Sequence, residues 1–149
     1  MSNVNVKPSD EAVLAAAINP QSLSPGTATS GWVSMANFEK LQAIVAVGTL
    51  GASATADAKL QQASDSGGTG AKDITGKAIT QLTKAGSDDN KQAIINLRSD
   101  ELDVANGFTH VRLSITVGTA ASVVAGVVLG HDARYQPADD ATTVDEVVS

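Results

Sequence analysis

The stretch HVRLSITV, His110 to Val117, sets Val111, Leu113, Ile115 and Val117 alternately with His110, Arg112, Ser114 and Thr116. A period of two puts one apolar and one polar face on a pleated strand, the pattern of a strand buried on one side. Working outward, FEKLQAIVAV (38–47) and KQAIINLRS (91–99) repeat it, the latter with Ala93, Ile95 and Leu97 on one face. ATADAKLQQA (54–63) places Ala54, Ala56, Ala58 and Leu60 on one side. Its Ala, Lys, Leu and Gln are also good helix formers, so the helix is the alternative there, and the Thr55 and Asp57 alternation favours the strand. SVVAGVVLG (122–130) follows HVRLSITV after the small-residue link GTAA, so 110–130 predicts a β-hairpin, and KAITQLT (77–83) predicts a short sixth strand. The turn runs VGTLG, SDSGGTG, KAGSDDN, VANGF and VGTAA separate these segments. Short strands with such turns predict an all-β fold: an antiparallel β-sandwich or jelly-roll-like barrel with an extended N-terminal arm.

The 149 residues fit one domain, which the sequence divides into an arm (1–31), a β-sandwich domain (32–131) and an acidic tail (132–149). The arm carries Pro8, Pro20 and Pro25, with one helical segment expected over 9–18, capped by Ser9 or Asp10. Its apolar residues Val4, Val6, Val13, Leu14, Ile18 and Leu23 are expected to gain burial on a partner. Ala and Val dominate the core candidates, and the aromatic residues are only Trp32, Phe38, Phe108 and Tyr135. Small side chains bury little area each, which favours further packing against other copies or a larger surface. The net charge is −6, of which −4 lies in the tail, where Arg134 stands against Asp132, Asp139, Asp140, Asp145 and Glu146. Clustered acid argues against nucleic acid as a direct partner, since phosphate binding needs clustered Lys and Arg. The N-terminal ten residues lack the pattern of a signal peptide, and no apolar run approaches the roughly 20 residues that span a bilayer, so a soluble protein made in the cytoplasm, with no membrane partner, is expected.

Reactive constellations are missing from the pattern. The glycine-rich stretch 48–78 carries Lys72 and Lys77, but Gly76-Lys77 is followed by Ala78 and the first-glycine position of a phosphate loop is Ala71. A flexible turn between strands is the expected reading. There is no Cys, which removes thiolate ligands and nucleophiles. His110 falls on the polar face of its strand, and His131 has only Asp132 beside it. SDELDVANG (99–107) groups Asp100, Glu101, Asp103 and Asn106 without the spacing of an EF-hand. Asp88-Asp89 and Asp139-Asp140 are expected to be water-exposed carboxylates with ordinary pKa values. No serine sits in a nucleophile elbow. The sequence therefore predicts a protein that is not an enzyme and needs no cofactor or metal.

The run GWVSMANFEKLQAIVAVGTLGASATADAKLQQASDSGGTGAKDITGKAITQL, then INLRSDELDVANGFTHVRLSITV and VVLGHDARYQPAD, resembles small proteins of the structural gene clusters of tailed bacteriophages. The resemblance covers about residues 31–139 and implies a virion component. In that class, small acidic β-sandwich proteins serve as capsid decoration, or cement, proteins, commonly as trimers on the outside of the head shell. The resemblance thus implies the major capsid protein as partner, a homo-oligomer, a place on the capsid surface, and the arm as shell anchor. A head-to-tail connector or tail-completion protein is the alternative.

Overall fold

The computed structural model describes residues 5–135 and 139–149, so Val4 of the expected arm lies outside the described residues. One helical turn, α1 (Pro8–Glu11), precedes ten strands: β1 (Ala12–Leu23), β2 (Gly26–Thr29), β3 (Val33–Ser34), β4 (Phe38–Val47), β5 (Thr55–Ala63), β6 (Lys72–Ala78), β7 (Leu82–Thr83), β8 (Gln92–Arg98), β9 (His110–Gly118) and β10 (Ser122–Ala133). They form two antiparallel sheets. One has the order β1-β10-β4-β8; the other runs β2-β9-β5-β6, with β3 also on β9 and β7 also on β5. The expected all-β sandwich is the observed fold. Its core lies between the sheets, where Leu41 and Val45 of β4, Leu97 of β8, and Val124 and Val128 of β10 belong to one cluster with Leu60 of β5 and Val111, Leu113, Ile115 and Val117 of β9.

The sequence located most strands closely but misjudged how some pair. β9 and β10 are not a hairpin: β9 pairs with β5 and β2, whereas β10 pairs with β4 and β1 in the opposite sheet. The link 119–121, with Thr119 at φ 74°, carries the chain across the core between sheets. Both strands have an apolar inward face, so placing them opposite one another lets those faces meet.

The arm is also corrected. The helix expected over 9–18 stops at Glu11, and Ala12 begins a twelve-residue strand paired with β10 through Ala12↔His131, Leu14↔Leu129 and Ala17↔Val127. Pairing and burial override the helix propensity of its alanines. The register shifts between Ile18 and Gln21, where Pro20 sits, as befits a proline on an edge strand. Val13 and Ile18 are core residues at 1% and 3% exposure, Leu14 and Leu23 are half-buried, and Val6 alone of the described anchor candidates is exposed. Residues 12–29 thus build both sheets, and the sandwich spans 12–133, not 32–131. The sixth strand lies upstream of its expected place: β6 covers 72–78, and only Leu82–Thr83 of the remainder is strand.

Candidate functional site

The phosphate-loop pattern at 71–78 falls on strand β6, and in the glycine turn before it the amides are occupied by the turn itself. Asp65 Oδ1 accepts the N–H groups of Gly67 and Thr69, at 2.9 and 3.1 Å, and the N–H of Gly68 donates to Asp65 O. Bonds from Thr69, reinforced by Gly67, hold the Asp65 carboxyl below its usual range. Gly68, at φ +83°, lies against Trp32, and a Cβ there would be 2.9 Å from the indole Nε1. Lys72 and Lys77 are paired: Lys72 with Asp103 at 2.6 Å, under the Phe108 ring at 4.3 Å, and Lys77 with Glu101 at 3.0 Å.

The acidic turn 100–107 is divided among the same partners. Glu101 accepts the N–H of Arg98 and pairs with Lys77; Asp103 holds Lys72 and accepts from Asn106; Asp100 accepts from Arg98 Nε. The Arg98 N–H and then Lys77 lower Glu101, while Lys72 and then Asn106 lower Asp103. Among the described residues no three His, Asp or Glu side chains are grouped to hold a metal ion. His110 Nδ1 shares a hydrogen bond with Thr109 Oγ1 at 2.9 Å. Asp88 and Asp89 depart from expectation. Asp88 accepts the Thr83 N–H and Asp89 accepts the Leu50 N–H, their second oxygens meet Lys91 and Lys84, and both carboxyls are lowered, chiefly by Thr83 and Lys84 respectively. They staple the 84–91 turn to the sandwich.

The two outer faces of the sandwich differ. On the six-stranded sheet, β5 and β9 pair Asp57↔Thr116, Lys59↔Ser114 and Gln61↔Arg112. Thr27 and Thr116 share a hydrogen bond at 2.8 Å, Arg112 Nε donates to Gln61 Oε1 at 2.9 Å, and Lys59 pairs with Asp73. Arg112 also stacks on Trp32 at 4.5 Å. That face is polar and bonded to itself.

The four-stranded sheet presents the opposite chemistry. Because residues paired across an antiparallel sheet share a face, the register sets Ala17, Val127, Ile44 and Ile94 in one row across all four strands. A neighbouring row reads Leu14, Leu129, Gln42, Asn96, and on the other side Ala125 and Ala46 lie beside Gln92. Val123 continues the β10 column and is 43% exposed, and Ile94 is 58% exposed. With strands about 4.8 Å apart and rows about 6.7 Å apart, the aliphatic positions of these rows, without Gln42, Asn96 and Gln92, cover roughly 300 Å², at the lower end of the size range where the largest apolar patch on a monomer is often functional. It ends in a polar row of His131, Lys40 and Arg98. Sequence reading missed this face. The unalternating run VVAGVVLG carries its signal, since a strand apolar on both sides must meet something on each, but the row appears only once four strands are in register.

No family model matches the chain, and no curated protein matches it. Among solved structures it is similar to a chain in the structure of infectious bursal disease virus, Gx strain, with a TM-score of 0.44 and 12% identity over 83% of this chain and 32% of that one. This chain therefore spans about a third of that neighbour's length. Likeness at that level assigns no function. Among the described residues no helix is long and apolar enough to cross a membrane.

Proposed function

We propose that the protein is a virion structural component, a decoration protein that sits on the outside of a tailed-phage head shell and strengthens it. In this reading the aliphatic outer face of the four-stranded sheet, not the N-terminal segment, lies on the major capsid protein. One observation carries the reading: a row of Ala17, Val127, Ile44 and Ile94 faces outward on one sheet while the other sheet's outer face carries polar side chains bonded to one another. The resemblance of 31–139 to phage structural proteins supports the same class.

The magnitudes suit a repeated contact. Burying about 300 Å² of apolar surface contributes roughly 7 kcal/mol before association costs of about 4–15 kcal/mol are met. With a matching area on the shell, the total is about 600 Å², below the usual size of a stable pairwise interface. One copy alone holds weakly, and linked copies on a lattice hold by avidity.

The test uses shells stripped of the protein, incubated with the natural chain or with the Ile44→Asp/Ile94→Asp double variant. Both side chains point outward, so the variant should retain its own melting transition. The natural chain is expected to cosediment with shells and raise the temperature at which they burst, and the variant to bind at least about tenfold more weakly, a loss of about 1.4 kcal/mol. Equal binding by the variant would remove the face from the reading. Binding to isolated portals or tails, with none to shells, would favour the connector.

A further inference from the structure

The edges of the four-stranded sheet, β1 and β8, carry opposite charge at nearly the same height. At β1, the Leu14 N–H donates to Asp140 Oδ1 at 2.9 Å and Leu14 O accepts the Ala141 N–H at 2.7 Å, so the tail crosses the open edge there. Residues 139–149 hold Asp139, Asp140, Asp145 and Glu146 and no basic residue. Asp145 and Glu146 are exposed.

At β8 a groove of about 480 Å³ is lined by Lys40, Lys77, Asn96, Arg98 and His131, with Glu101 its one carboxylate. Lys77 is spent on Glu101. Lys40 and Arg98 have only surface partners, Asp132 at 3.0 Å and Asp100 at 3.2 Å, with every side chain in these pairs at least 58% exposed. Exposed pairs of that kind contribute little and exchange readily. The row Leu14, Leu129, Gln42, Asn96 runs from one edge to the other, and the basic row lies next to it. The acidic crossing and the basic groove are therefore about one row, roughly 7 Å, out of level.

We propose that copies of this chain associate head to tail, the acidic segment 139–146, which crosses the β1 edge of one copy at Asp140 and Ala141, entering the basic groove along β8 of the next. A two-fold axis that joins two sheets side by side pairs β1 with β1 or β8 with β8 and sets like charge against like, so an edge-to-edge contact of acid with base is heterologous and closes as a ring when its rotation closes. The groove takes in Gln42 and Asn96 at the polar end of the outer face, so the contact leaves the row Ala17, Val127, Ile44, Ile94 free on every copy. The ring forms without a shell, so it stands or falls separately from the decoration reading.

The experiment is sedimentation of the full chain at about 50 mM and about 500 mM salt, a range over which exposed charge is progressively screened. Three variants accompany it: Lys40→Glu/Arg98→Glu, Asp145→Lys/Glu146→Lys, and all four changes together. The natural chain is expected to self-associate at low salt and at least about tenfold more weakly at high salt. Each reversal should weaken low-salt association about tenfold or more, and the fourfold variant should recover it, because acid and base have only exchanged places. The tail pair lies outside the sandwich, so its reversal reads the contact even where the groove pair disturbs folding. A natural chain that is monomeric throughout, reversals without effect, or a fourfold variant no better than the two double reversals would each overturn the proposal.

Discussion

At Gly130, on the inward side of β10, a Cβ would stand 2.5 Å from the Phe38 ring, so glycine is what lets the core's one buried aromatic ring close against that strand. Gly130→Ala should lower stability in urea melts by about 1–3 kcal/mol through overpacking. Leu113→Ala, at a position with no exposure, should cost about 2–5 kcal/mol through the cavity it leaves. Arg112→Ala, one residue away, gives up the Trp32 stack and the Gln61 bond at a partly exposed site and should cost about 1 kcal/mol or less. Equal losses at 112 and 113 would mean that β9 is inside out. Leu113 was legible because its neighbours two residues away share its character. Ser114 was not: it sits on the polar side of that alternation yet is 3% exposed, because its surroundings include Thr29 of β2, its pairing partner from far along the chain.

At the scale of the element, period two marks strands well and pairing poorly. β4 coincides with FEKLQAIVAV, and β5 and β8 lie within a residue or two of their expected limits, because turn residues bound each run. Whether β9 and β10 share a sheet depends on which partner each finds, and those partners, β5 and β2 or β4 and β1, are dispersed through the chain. Residues 12–18, expected as helix, are strand for the same reason. Their alanines favour helix locally, and only β10, far along the chain, supplies the edge that makes them strand. A chain beginning at Gly31 therefore loses β1, β2 and the core side chains of Val13, Ala16 and Ile18. Such a chain should lose its cooperative melting transition, not merely a shell anchor. A melt as sharp as that of the full chain, monitored by circular dichroism, would restore the reading of 1–31 as a detachable arm.

For the whole molecule, the sequence showed the net charge of −6 and the acid of its tail, but not that many other carboxylates are tied into the fold. Asp65, Asp73, Asp88, Asp89, Glu101, Asp103 and Asp132 all have lowered pKa values, through chiefly Thr69, Gln61, Thr83, Lys84, the Arg98 N–H, Lys72 and Lys40 in that order. Two opposing effects follow on acidification. Down to the isoelectric point, near 4.6, removing net negative charge relieves general repulsion, which favours the compact state, and below it the net charge is positive and repulsion returns. Protonating carboxylates that are bonded only when folded removes their contribution, which favours unfolding. The ordinary values are 3.8 for Asp and 4.5 for Glu, and the folded values lie below them, so the unfolded chain takes up protons first as pH falls. The contribution is thus complete above the ordinary values and lost as pH drops through the folded ones. Repulsion in a chain with both charge signs interspersed is weak and screened by salt, whereas the seven bonded groups act at contact distance, so the second effect should win. The urea midpoint is expected to stay level from about pH 8 to about pH 5 and to fall between about pH 4.5 and about pH 2. Lys72→Met/Lys77→Met should make that fall shallower by freeing Asp103 and Glu101 from their cations. A midpoint that rises on acidification, or a double variant with an unchanged slope, would show that these carboxylates are not stability elements.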